Sequence, residues 1–132
     1  MKCLIVEDDF VSRRILNQFL TQHFECDIAV DGEEAVIAFR LAVEAKHPYD
    51  LICMDIMMRN MDGQEALRQI REIEKEMGIT PSAEAKVIMT TSLSDPKTMI
   101  DSFYRGGATA YIVKPVTKQH LMAELQKMSL IP

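Results

Sequence analysis

Acidic residues, a hydroxyl pair and a lysine stand at the ends of short apolar runs in this 132-residue chain. Cys3-Leu4-Ile5-Val6 runs into Glu7-Asp8-Asp9, and Leu51-Ile52-Cys53-Met54 runs into Asp55. Val87-Ile88-Met89 runs into Thr90-Thr91-Ser92, and Ala110-Tyr111-Ile112-Val113 runs into Lys114-Pro115. Carboxylates gathered with a hydroxyl and an ammonium suit a magnesium-assisted phosphoryl acceptor. Phosphorylating a carboxylate takes a nucleophile held in line, neutralisation of the transferring group, and positioned donors for its equatorial oxygens. Asp55 is the candidate nucleophile. Glu7 and Asp8 are candidate ligands for Mg2+, which takes oxygen donors and keeps several waters. Lys114 offers a positive charge to one phosphoryl oxygen and Thr91 a hydroxyl to another; Thr90 is the competing hydroxyl. Asp9 reads as a helix cap rather than a ligand.

Such a cluster opposes folding. Two carboxylates about 4 Å apart repel by roughly 4 kcal/mol at an effective dielectric of about 20. Lys114 or a cation must offset them, and natural chains keep local conflict of this kind mainly at functional sites.

The elements that must position these groups are legible from pattern. Short apolar runs bounded by polar residues suit strands buried on both faces of a parallel sheet. Ligands of an open α/β sheet bind beyond the carboxyl ends of its strands. Strands are expected at 2–7, 25–30, 86–91 and 109–113, with another ending near Asp55. The first predicted helix covers 11–24, with Val11, Ile15, Leu16, Phe19, Leu20 and Phe24 inward. The second follows the Asp31-Gly32 turn to about Ala45, with Ala35, Val36, Phe39, Ala42 and Val43 inward. The third runs from Asp62-Gly63 to Gly78 and buries Leu67, Ile70, Ile73 and Met77. Residues 80–84 read as an exposed loop. A fourth helix starts at Ser94 or Asp95, has Pro96 in its first turn and ends at Gly106-Gly107. Thr117 caps a fifth that buries Leu121, Met122, Leu125 and Met128. Five alternations of strand and helix give a parallel sheet covered on both faces.

A chain with 48% apolar and 27% charged residues fits one domain spanning 1–132, with no output domain expected after the last helix. The net charge of −5 argues against nucleic acid as a direct partner. Cys3, Cys26 and Cys53 form no CxxC pair and read as reduced thiols of a cytoplasmic protein. There is no signal-peptide pattern and no apolar run of about 18 residues, so no membrane association is expected.

Taken together, the acidic pair, Asp55, Met61-Asp62-Gly63, Thr91-Ser92 and Lys114-Pro115 resemble the receiver domain of two-component response regulators. Asp31-Gly32-Glu33-Glu34-Ala35 matches as well, and the resemblance covers essentially the whole chain. It implies a flavodoxin-like, doubly wound α/β fold: a five-stranded parallel sheet in the order 2-1-3-4-5 with five helices. It implies that Asp55 takes a phosphoryl group from a histidine kinase or a relay phosphohistidine. It implies Mg2+ at Glu7, Asp8 and Asp55, with the Met57 carbonyl as a further ligand, and a cis Lys114-Pro115 bond. The family's switch falls on Thr91 and Tyr111. It changes the face made by the fourth helix, fifth strand and fifth helix, and so controls binding of a downstream protein. Monomer and phosphorylation-dependent dimer both fit.

The chain also departs from the pattern. Arg59 stands where receivers often have proline, which leaves the loop beside Asp55 less stiff. Met57 and Leu93 occupy positions that flank the phosphoryl group in the family. Apolar side chains there cannot hold a hydrolytic water by hydrogen bonds, so a long-lived phosphorylated state is expected. Two rival readings remain open. One is a magnesium-dependent phosphohydrolase with an aspartyl-phosphate intermediate, a class that commonly places a second Asp where this chain has Met57. The other is a receiver cut from a longer hybrid kinase or transcription factor.

Overall fold

The five apolar runs form one parallel sheet in the computed structural model, which describes residues 1–92 and 107–132. The strands are β1 (Lys2–Val6), β2 (Glu25–Ala29), β3 (Leu51–Asp55), β4 (Lys86–Thr91) and β5 (Ala110–Val113). Their order is β2-β1-β3-β4-β5, as the resemblance implied. Between them lie α1 (Phe10–Leu20), α2 (Gly32–Glu44) and α3 (Gly63–Glu76), and a C-terminal helix (Lys118–Lys127) follows β5. The predicted fourth helix, with Ser94, Asp95, Pro96 and Gly106, lies outside the described residues.

Alternating side chains divide the core into two layers. On one face Leu4, Val6, Ile52, Met54, Val87 and Met89 pack against Ala35 and Phe39 of α2 and against Leu67, Ile70 and Ile73 of α3. On the other, Cys3, Ile5, Leu51, Cys53, Ile88 and Ile112 meet Leu16 and Leu20 of α1 and Leu121 and Leu125 of the C-terminal helix. β3 is buried at every position, as a central strand covered on both sides must be.

Three sequence expectations need correction. α1 stops at Leu20, with Thr21 as its C-terminal cap, so Phe24 is buried in the connection rather than on the helix. Val11 and Ile15 are 60% and 39% exposed, because the apolar arc of α1 is wider than the strip the sheet covers. Met77 is 41% exposed: it caps α3 where the helix has cleared the sheet, and Gly78 follows with φ of 70°. The loop at 80–84 is exposed and contains a single 3-10 turn at Pro81–Ala83.

Candidate acidic phosphoryl site

Each group at the carboxyl edge of the sheet is fixed by the start of the element that follows it. After β1 the chain turns so that Asp9 caps α1, its carboxylate accepting from the Ser12 N–H at 2.8 Å. The Asp9 N–H donates to Glu7 Oε1 at 3.1 Å, and Arg13 in the first turns of α1 donates to the Glu7 carbonyl at 3.0 Å. Glu7 is completely buried, whereas Asp8 points to solvent.

Asp55 ends β3 and is 6% exposed. Its backbone is crowded by α3. The Gly63 N–H donates to the Ile56 carbonyl at 2.8 Å, and a Cβ on Gly63 would collide with the Asp55 carbonyl oxygen. Only glycine lets the helix begin so close to that strand end. The Met57 N–H donates back to Asp55 Oδ1 at 3.3 Å. The rest of the β3–α3 loop is tied to α2: Asn60 Nδ2 donates to Asp31 Oδ2 at 2.8 Å, and the Gly32 N–H to the Met61 carbonyl at 3.2 Å.

Lys114 closes the group from β5. Its Nζ donates to Glu7 Oε2 at 2.9 Å and to Asp55 Oδ2 at 3.1 Å, and its backbone N–H donates to the Thr91 carbonyl at 2.7 Å. The Lys114-Pro115 peptide is cis. One oxygen each from Glu7, Asp8 and Asp55 lie within 4.8 Å of one another. Three hard oxygen donors at that spacing, two of them buried, suit a small divalent cation.

The electrostatics follow from this packing. Burial pushes the Glu7 carboxyl above its usual value; the Lys114 hydrogen bond opposes that rise and the Asp55 charge adds to it. Burial alone would lower the Lys114 ammonium, but the hydrogen bonds to Glu7 and Asp55 outweigh it and raise the group. β4 supplies two hydroxyls. Thr90 pairs with Asp55 in register, and its Oγ1 is buried with no hydrogen-bond partner among the described residues. Thr91 is fully buried one residue further on. Tyr111 pairs with Met89, which places it on the same sheet face as Thr91 and one strand away.

The sequence reading named Glu7, Asp8, Asp55 and Lys114, which the structure places together, with Thr91 on the adjoining strand. It missed Arg13 and the Asp31–Asn60 bond, which depend on tertiary contact. Asn60 at φ 63° left one trace, since asparagine is enriched in left-handed turns. Beside the acids, Ile15, Leu16, Ser12, Pro115 and Val116 line an open cleft of about 370 Å³ that Glu7 and Lys114 border.

The family described as response regulator receiver domain matches residues 3–126, and the chain belongs to that family. It is 32% identical over 130 residues to the two-component response regulator ORR41 of Oryza sativa subsp. japonica, covering 98% of this chain and 95% of that protein. Several other curated relatives are longer, and the chain spans 47% of their length. Among solved structures it resembles that of the CheX-CheY-BeF3-Mg+2 complex from Borrelia burgdorferi, with TM-score 0.84, 30% identity, 98% of this chain and 89% of that one. It also resembles the co-crystal structure of the Saccharomyces cerevisiae histidine phosphotransfer protein Ypd1 with the receiver domain of Ssk1. There the TM-score is 0.82 at 27% identity, covering 99% and 92% of the two chains.

Proposed function

We propose that this receiver is switched by phosphorylation of Asp55, with the phosphoryl group supplied by a histidine kinase or by the phosphohistidine of a phosphotransfer protein. The observation that carries the reading is Lys114, whose ammonium bridges the buried Glu7 and Asp55 carboxylates. That arrangement holds an oxygen nucleophile, a fixed cation and further acidic ligands in one pocket. Glu7, Asp8, Asp55 and the Met57 carbonyl would hold Mg2+. When bound, the metal neutralises negative charge on the transferring group. The chain's own groups do the rest. Asp55, fixed by the Met57 N–H and by α3 pressing on its backbone, presents one carboxylate oxygen for attack. Lys114 and the Thr91 hydroxyl donate to oxygens of the transferred group. Loss of the Lys114–Asp55 ion pair on phosphorylation frees Lys114 for that role.

The switch would run through Thr91 and Tyr111, on one face of adjacent strands, to the surface formed by β5, the C-terminal helix and the predicted fourth helix. That surface would bind a downstream protein. The chain would act as a single cytoplasmic domain, alone or as a phosphorylation-dependent dimer, through protein rather than nucleic-acid contacts. No helix among the described residues is long and apolar enough to cross a membrane. Met57, 61% exposed beside Asp55, offers no proton to a leaving group, which disfavours a phosphohydrolase.

Incubation with acetyl phosphate and Mg2+ followed by intact mass tests the reading. The wild type should gain one phosphoryl group and Asp55→Asn none. An unmodified wild type, or an equally modified variant, would refute it.

A further inference from the structure

Two thiols lie side by side where the edge strand meets its neighbour. β1 and β2 pair in parallel with Cys3 opposite Cys26. Neighbouring strands run about 4.7–4.9 Å apart, inside the roughly 4.4–6.8 Å Cα separation that a disulfide spans. β2 is the edge of the sheet, Cys26 is partly exposed there, and Cys3 is wholly buried behind it. A diffusible oxidant therefore reaches Cys26 first, with a second thiol already adjacent. Cys53 shares this face but stands opposite Ile5. Although the Cys53 side chain also touches Cys3, two residues along and one strand across puts its Cα about 8 Å from that of Cys3, too far to be bridged without backbone movement. All three cysteines are free.

We propose that Cys26 and Cys3 form a reversible, hydroperoxide-driven disulfide at the β1–β2 seam. The Cys26 sulfur attacks hydrogen peroxide. Its S–O bond forms as the O–O bond breaks, giving a Cys26 sulfenic acid and one water. The Cys3 thiol then attacks the Cys26 sulfur. The S–S bond forms, the S–O bond breaks, and the hydroxide leaves with the Cys3 proton as a second water. The two sulfurs are oxidised, the peroxide is reduced, and a dithiol returns both thiols. The Cys3 contact lowers the Cys26 thiol, which favours the reactive thiolate, while contacts with Cys26 and Cys53, together with burial, keep Cys3 protonated. The bond would tie the edge strand to the strand that carries Glu7, whose N–H already donates to the Ala29 carbonyl at 3.1 Å.

The test treats the full chain with equimolar hydrogen peroxide, removes the peroxide, unfolds the chain in guanidinium chloride with N-ethylmaleimide to block remaining thiols, and maps the peptides. The wild type should lose two alkylatable thiols, yield a Cys3–Cys26 cross-linked peptide, and regain all three thiols with dithiothreitol. Cys53→Ser should form the same link, and Cys26→Ser should form none. Three alkylatable thiols after peroxide in the wild type, a link to Cys53 instead, or a link that persists in Cys26→Ser would each overturn the proposal.

Discussion

Glu7, Asp8 and Asp55 repel one another in the absence of metal, and Lys114 relieves only the buried two. At the observed spacing each carboxylate pair opposes folding by roughly 3 kcal/mol at an effective dielectric of about 20, before solvent screens exposed Asp8. Asp8→Asn should therefore melt higher than wild type in metal-free buffer, while losing Mg2+-dependent phosphorylation. A lower melting point without metal would show that the charges do not strain the fold. Glu7 gives the pH signature. Its folded pKa is raised, so the folded state holds the proton more tightly than the unfolded chain. That contribution is fully present below the usual glutamate range and is lost as pH rises through the folded value. Denaturation midpoints of metal-free wild type should fall across this window, and those of Glu7→Gln should fall less. The acids and the lysine were legible in the chain because each terminates an apolar run. Which oxygen Lys114 contacts was not, because residues 107 positions apart meet only through the sheet order.

At the scale of elements, the strands follow from burial on both faces, and their ends were read closely. The helices were harder to bound, since a 3.6-residue apolar rhythm continues past the point where a helix still touches the sheet. Val11, Ile15 and Met77 all fit that rhythm and all face outward. The caps are where the site is built. Asp31 accepts from the Glu34 N–H at 2.9 Å and also holds Asn60, so it serves both α2 and the loop beside Asp55. Asp31→Ala should cost about 1 kcal/mol in urea denaturation for the cap. Asn60→Ala should leave α2 intact but weaken Mg2+ binding measured by calorimetry, through the loosened Met57 carbonyl. Arg59 does not fix its backbone as a proline would, so this tether matters more. Gly63→Ala should destabilise by about 1–3 kcal/mol, as forced overpacking does, because the added methyl meets the Asp55 carbonyl.

For the molecule as a whole, under the proposed function, the lifetime of the phosphorylated form sets how long a signal persists. Met57 is exposed beside Asp55 and cannot hold a water by hydrogen bonds. The acyl phosphate should therefore outlast a few seconds with Mg2+ and no phosphatase, and Met57→Asn should shorten it. Decay of radiolabelled protein gives both rates, and equal rates would remove Met57 from the account. Leu93, the second flanking position in the sequence reading, lies outside the described residues. Lys114 also bears on how the chain matures at the ribosome. The acids at the ends of β1 and β3 emerge before the cation that reconciles them, so a nascent chain halted before β5 holds the acids without their counter-charge. Late arrival of one lysine delays assembly of the pocket until the residue after β5 has been made.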